Sequence, residues 1–361
     1  MANFTLASIK IIGIASAIPE NKVLLEQFEN QFEANKVDYF KSRTGVSELN
    51  KSLDLQNTSD LGFVAANAIL QQKNIEREEV GVIIFVSKTP DYRSPATAIV
   101  LHNRLQLHKD CLGFDVNMGG AGFIYGMEIV TSLLDSSNKK YGILVVGDTM
   151  SKQLAHQDEL NMFYSDGASA ILFEKNTEAK PIYLQTKSFS DGYKSMIVPG
   201  GFRNTSKNTP IQLHDSNPNS NTVIQIDEKA INDFITSEIP SLIESFLKNK
   251  NKLISEYDLI IFPQLEEPFQ SELAKNLGIP KEKISTNFEK YGDTCGNGIP
   301  LLISDNFGKS EKKQSNILSI AFGEGFTCGI ADFFIDSSDV LEVLYTNDYF
   351  KDGYVTHEMP S

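Results

Sequence analysis

Three apolar segments in the second half of the chain answer three in the first, in the same order. Tyr257-Asp258-Leu259-Ile260-Ile261-Phe262 answers the Val82–Phe85 part of Val80-Gly81-Val82-Ile83-Ile84-Phe85-Val86. Asn316-Ile317-Leu318-Ser319-Ile320-Ala321-Phe322-Gly323 answers Ile143-Leu144-Val145-Val146-Gly147. Cys328-Gly329-Ile330-Ala331-Asp332-Phe333-Phe334-Ile335 answers Gly167-Ala168-Ser169-Ala170-Ile171-Leu172-Phe173. One such pair means little, because buried strands draw on the same few residue types. Three pairs in one order point to an internal duplication. Continuous apolar runs of this kind suit central strands covered on both faces, so an α/β chain in two similar halves is expected.

A second stretch looks chemical. Phe114-Asp115-Val116-Asn117-Met118-Gly119-Gly120-Ala121-Gly122-Phe123 reads as a buried strand, a glycine-softened turn and a helix start. Phe123, Met127, Val130 and Leu134 then form an apolar stripe at helical spacing. A turn of small residues lets backbone N–H groups face a ligand, and its helix start is a place for a nucleophile. The plain alternative is a tight turn in an α/β domain.

Elsewhere, residues 9–18 read as a buried strand ended by Pro19, and Arg43-Thr44-Gly45-Val46 follows a helical segment. Ser59 or Asp60 is expected to cap a helix carrying Leu61, Val64, Ala65, Ala68 and Ile69. Residues 200–222 form a polar stretch suited to a surface loop. A helix is predicted from about Asp227 to Lys248, with Pro240 kinking it or starting a new turn. Residues 1–180 and 181–336 make the two expected halves, and 337–361 an acidic, aromatic extension.

Composition narrows the partners. The 361 residues are 41% hydrophobic with net charge −14, which argues against nucleic acid or an anionic membrane surface as the main partner. No apolar run reaches the ~20 residues of a membrane helix, and no signal peptide is expected at the N-terminus. Three cysteines, Cys111, Cys295 and Cys328, are too few for a disulfide framework, so a cytoplasmic protein is expected. No metal site or cofactor is expected.

These motifs together resemble the β-ketoacyl-acyl carrier protein synthase III family, condensing enzymes of thiolase fold. The resemblance runs from Ile9 to about Ile335. It rests on Arg43-Thr44-Gly45, the 114–123 turn, Ser165-Asp166-Gly167-Ala168, Tyr291-Gly292-Asp293-Thr294 and Phe322-Gly323-Glu324-Gly325-Phe326-Thr327. It implies a five-layered αβαβα fold of two duplicated halves, and acyl-CoA or acyl-carrier protein as ligand. In the family a cysteine at the helix start takes the acyl group, while a histidine and an asparagine stabilise the enolate from decarboxylated malonyl carrier protein. Here Gly120 stands at the cysteine position. Pro263, in Phe262-Pro263-Gln264-Leu265-Glu266, stands at that of the histidine. Asp293, in Gly292-Asp293-Thr294, stands at that of the asparagine, and Glu266 falls where a further asparagine is often found. A one-residue slip puts Phe262 or Gln264 at the histidine position and rescues nothing.

Carboxylates at Asp293 and Glu266 would oppose, not stabilise, a developing enolate. Glu267-Pro268-Phe269 replaces a segment where relatives often carry a carrier-docking arginine, which implies a weakened carrier site. Cys295 is expected to approach the old pocket, as a wall residue or a relocated nucleophile; Cys111 is expected to pack. Arg43 is either a phosphate or pantetheine contact or a structural ion-pair residue. Gly323 and Gly325 keep the pattern of the family's oxyanion loop around Glu324. His102, His108, His156, His214 and His357 all lie outside these motifs.

Two functions remain open at this point. One is a catalytically silent subunit, forming a homodimer or a heterodimer with an active ketosynthase paralogue, with acyl carrier protein as a further possible partner. The other is an acyltransferase or thioester hydrolase of altered chemistry using Cys295, Asp293 or Glu266. A simple acyl-thioester binder would differ from the first only in lacking an obligate partner. The extension either wraps a partner or packs on its own domain.

Overall fold

The repeated segments occupy matching places in two separate sheets. In the computed structural model, residues 2–155, 157–200, 224–263, 267–309 and 313–351 are described. Strands β2 (Ile9–Pro19), β5 (Val80–Val86), β6 (Leu112–Val116), β7 (Tyr141–Asp148), β8 (Gly167–Lys175) and β15 (Leu344–Thr346) form one sheet, ordered β15-β2-β8-β7-β5-β6. Strands β1 (Ala2–Leu6), β9 (Ile182–Ser188), β12 (Leu259–Ile261), β13 (Gln314–Gly323) and β14 (Thr327–Asp336) form the other, ordered β1-β9-β14-β13-β12. The runs β2-β8-β7-β5 and β9-β14-β13-β12 share one pattern of directions: antiparallel, antiparallel, then parallel. All three sequence correspondences fall on this pattern, β12 with β5, β13 with β7 and β14 with β8.

Helices fill the space between and outside the sheets. α4 (Gly122–Ser136) and α8 (Gly298–Phe307) lie between them, in a core built from both sheets. The Phe123, Met127, Val130 and Leu134 stripe is fully buried there, and Phe123 meets Phe333 of β14 edge-to-face at 6.2 Å. Each such side chain contributes about 1.5–3 kcal/mol of burial free energy. α2 (Thr58–Gln72) and α3 (Thr97–Arg104) cover the outer face of the first sheet. α5 (Glu228–Lys250) and α6 (Glu267–Asn276) cover that of the second. The result is the expected five-layered αβαβα fold. Near the cavity described below, α1 (Ala34–Thr44), α7 (Phe288–Tyr291) and the antiparallel pair of β3 (Lys22–Leu24) with β4 (Glu48–Asn50) share a small core. The short pair β10 (Met196–Ile197) and β11 (Gln225–Ile226) lies beside it.

Several local expectations are corrected. Neither Ser59 nor Asp60 caps α2; Asn57 does, and Asp60 closes a capping box as its carboxylate accepts from the Asn57 amide at 2.7 Å. α5 continues through Pro240 without a second helix start; Asp227 begins it, its carboxylate accepting from the Ala230 amide at 3.0 Å. Between the expected halves, β1 crosses into the second sheet and β15 returns to the first. The described part of the extension, up to Lys351, packs on its own chain: Val340 joins the central core, and β15 pairs in parallel with β2. Residues 201–223, which hold most of the polar stretch, and Glu266 lie outside the described residues. Among the described residues no helix is long and apolar enough to cross a membrane.

Candidate functional site

Strand β6 delivers the glycine turn to a cavity. Its Asp115 carboxylate accepts from the amides of Thr97 and Ala98 at 2.6 and 2.7 Å, which ties the strand end to the start of α3. The chain then turns through Gly119 and Gly120 into α4. A cavity of about 400 Å³ opens there, and it brings together Arg43, Gly120, Pro263, Asp293, Cys295 and Gly323. Its apolar wall includes Phe40, Phe163, Ile231, Ile235, Phe322 and Phe326.

At Gly120 the space for a side chain is gone. A Cβ would overlap the Phe322 carbonyl oxygen and stand 3.3 Å from its carbon and 3.4 Å from Gly323 Cα. The facing side is equally tight, since a Cβ on Gly323 would come 2.9 Å from the Ala121 nitrogen. Two backbone segments therefore lie face to face, which only glycine at both positions permits.

A charged cluster lines the inner wall. Lys88, just beyond β5, binds the Glu324 carboxylate at 2.5 Å, and the Gly119 amide also donates to that carboxylate. Burial is the strongest single influence and works to raise Glu324, but the Lys88 charge, its hydrogen bond and the amides of Glu324 and Gly119 together outweigh it and hold the carboxyl below its usual value. Burial likewise works to lower Lys88, yet the neighbouring Glu324 and Asp148 carboxylates keep its ammonium well above the usual range. Asp293 is fixed by its backbone, which accepts from Ser165 at 2.8 Å and donates to Phe163 at 2.9 Å. Its Oδ1 accepts from the Cys295 amide at 2.7 Å, and burial pushes its carboxyl to about 6. Cys295 is held at φ +54°, an uncommon conformation for a non-glycine residue. Burial, followed by the Asp293 and Asp148 carboxylates, drives its thiol well above the ordinary range despite the opposing pull of Lys88.

Asp148, at the end of β7, underlies Lys88. Its Oδ1 accepts from the Lys88 amide at 2.7 Å and from Ser87 Oγ at 3.0 Å, while Oδ2 is buried without a partner. Burial raises this carboxyl to about 7 from a usual 3.8. The folded state therefore holds a proton that the unfolded chain releases, so Asp148 removes stability as pH climbs from about 4 to about 7. Asp148→Asn should gain stability relative to the parent across that window, read from thermal midpoints at a series of pH values. A difference that stays flat with pH would refute the assignment.

The sequence-derived site residues separate as follows. Arg43, Gly120, Pro263, Asp293, Cys295 and Gly323 share the cavity; Gly325 does not line it and makes a turn at φ +108°. Arg43 lies over the Phe40 ring at 5.7 Å. Cys111 is buried among apolar side chains, with its thiol raised to about 12 by that burial. Among the described residues no histidine lines the cavity. Lys88, Asp148 and Tyr164 were not singled out from sequence. The available signal was their position: Lys88, Asp148 and Glu324 sit at the carboxyl ends of β5, β7 and β13, where α/β sheets gather their ligand groups.

A duplicated αβαβα fold with a strand–turn–helix facing one cavity defines the thiolase-like class. The family model described as 3-oxoacyl-[acyl-carrier-protein] synthase III matches residues 114–192, and the model of that family's C-terminal part matches 247–333. A β-ketoacyl-[acyl-carrier-protein] synthase III of Clostridium perfringens strain SM101 is 32% identical over 326 residues, covering 89% of this chain and 98% of the relative. One from Limosilactobacillus reuteri is 26% identical over 324 residues, with the same two coverages. The crystal structure of a 3-oxoacyl-(acyl-carrier protein) synthase from Burkholderia xenovorans LB400 shares 26% identity at a TM-score of 0.87, covering 96% of this chain and 99% of that one. The chain belongs to the β-ketoacyl-acyl carrier protein synthase III family, whose function lies in acyl metabolism.

Proposed function

We propose that this chain is a catalytically silent synthase III-type subunit that pairs with an active ketosynthase. The observation that carries this reading is the occupied space at Gly120: the position that would hold the acyl-accepting cysteine faces the Phe322 carbonyl without room for a Cβ. Pro263 and Asp293, which stand at the histidine and asparagine positions, line the same cavity and supply no neutral donor pair for an enolate. The Glu324–Lys88 pair beside the turn puts a carboxylate where an enolate would need donors.

The experiment has three arms. Incubation with acetyl and longer-chain coenzyme A thioesters should leave the mass of the chain unchanged. Supplied with malonyl carrier protein, it should release no carbon dioxide and form no ketoacyl product. Co-expressed with an intact synthase III paralogue, it should co-purify as a stoichiometric complex. Turnover by the isolated chain would overturn the reading.

The altered-chemistry reading, with Cys295, Asp293 or Glu266 as reacting groups, is the weaker one. Cys295 does line the cavity, but its burial and its carboxylate neighbours keep the thiol protonated, and a protonated thiol is a poor nucleophile. A stable acyl adduct mapped to Cys295 would reverse that ranking.

A further inference from the structure

If Gly120 cannot take an acyl group, as the silent-subunit reading holds, the cavity is free to bind something else, and its inner wall says what charge that is. One inner-wall ammonium, Lys88, lies among three carboxylates, Glu324, Asp148 and Asp293. Lys88 is already committed to Glu324 at 2.5 Å, and the Asp148 side chain accepts from the Lys88 amide behind it. Lys88 reaches Asp293 only through its field, and among the described residues no cation bonds that carboxylate. Its Oδ1 takes the Cys295 amide, and its side chain opens on the cavity. Tyr164 stands beside it, only 3% exposed overall yet lining the same space, and no described residue bonds its hydroxyl. At the mouth Lys36 is paired with Glu159 at 2.5 Å, and the Arg43 guanidinium lies over the Phe40 ring. A buried carboxylate without a counter-charge is costly, and a ligand cation is the group that relieves it.

We propose that the cavity binds an amine-bearing amphiphile, its ammonium held by Asp293 and the Tyr164 hydroxyl and its alkyl part by the Phe163, Ile231, Ile235 and Phe322 wall. An ammonium donates to a carboxylate in a charge-assisted hydrogen bond and to a phenol oxygen in a second, while the chain buries against apolar and aromatic side chains. An acyl carboxylate would meet Asp293 and Glu324 head-on and is disfavoured by the same geometry.

Every group facing Asp293 sets the pH behaviour. Lys88 stays protonated, Glu324 ionised, and Cys295 and Tyr164 neutral, while Asp293 ionises near 6 and Asp148 near 7. Amine binding should therefore tighten as pH rises through about 6.

The test is calorimetric titration of the full chain near neutral pH with three probes of equal chain length: n-octylamine, n-octanol and sodium octanoate. Octylamine should bind at least about tenfold more tightly than octanol, with octanoate weakest. The near-isosteric Asp293→Asn should lose about tenfold for octylamine and so remove most of its advantage over octanol. Because the ranking is read on the unaltered chain, a misfolded variant does not rescue the idea. Octanoate binding as tightly as octylamine, no binding of octylamine, or an Asp293→Asn ranking like the parent's would each overturn it. A covalent acyl adduct in the separate mass assay would instead sink the silent-subunit reading, with the amine preference still decided by the titration.

Discussion

Gly120→Cys should lose stability and gain no acyl-accepting thiol. The new Cβ must displace the Phe322 carbonyl, and that carbonyl has nowhere easy to go. Phe322 and Gly323 are paired across the sheet with Cys328 and Thr327, and the next residue, Glu324, is tied to Lys88 and to the Gly119 amide. Forcing extra atoms into packed structure typically costs about 1–3 kcal/mol, and an obstacle made of backbone puts this case at the upper end. Gly120→Ala should cost nearly as much, because the Cβ and not the sulfur makes the clash. Thermal midpoints of the two variants against the parent separate steric cost from chemistry. A cysteine variant with the parent's midpoint and a clean acyl adduct would show that the turn still accommodates a nucleophile.

Adding Pro263→His and Asp293→Asn to Gly120→Cys should give at most trace condensation. Proline fixes φ and withholds a backbone donor, so the 262–264 path suits its present residue. Lys88 and Glu324 would still sit against the turn, with the carboxylate bound to the Gly119 amide. Groups that act as a unit recover little when their surroundings are not arranged for them. The readout is carbon dioxide release and ketoacyl product from malonyl carrier protein; turnover near that of an active relative would mean the site is still preorganised.

What the sequence disclosed follows from where the information is local. The strand correspondences were legible because a central strand announces itself by a continuous apolar run, and a duplication repeats the announcement. The α4 stripe was legible because Phe123, Met127, Val130 and Leu134 recur at helical spacing. The Lys88–Glu324 bridge was not, since 236 positions separate the partners and nothing near either one names the other. Nor was the cap of α2: Asn57, Thr58, Ser59 and Asp60 all suit a helix start, and only geometry shows that Asn57 caps while Asp60 reaches back to its amide. The closed space at Gly120 lay beyond reach for a different reason. A glycine in a sequence does not say what presses on it, and here the neighbour is a backbone carbonyl about two hundred residues away.

Arg104→Ala should be the most destabilising single change outside the cavity, at about 3–5 kcal/mol. The Arg104 guanidinium lies between the rings of Phe63 and Phe350, at 4.4 and 4.7 Å from their centroids. Its Nη1 donates to Asp60 Oδ1 at 2.8 Å, and the two side chains are only 8% and 2% exposed. The Asp60 carboxylate also accepts from the amides of Asn57 and Phe350, at 2.7 and 2.8 Å. Truncating Arg104 therefore leaves a buried carboxylate uncompensated, removes the stacking surface for Phe350, and weakens the hold on the chain just after β15. Burial is the main cause that raises the nearby Asp91 carboxyl to about 6, and Arg104 restrains that rise, so its loss should lift Asp91 further. Arg104→Lys keeps the charge but not the planar stack, and should fall between the parent and the alanine variant. Thermal unfolding gives the magnitude, and hydrogen exchange over residues 344–351 shows whether the extension detaches first. A loss below about 1 kcal/mol, with unchanged protection of that segment, would make the bridge an ordinary surface pair. The larger loss would instead mean that the extension is held by a buried charge whose partners lie in α2 and α3, so the end of the described chain is bolted to the outer layer of the first half.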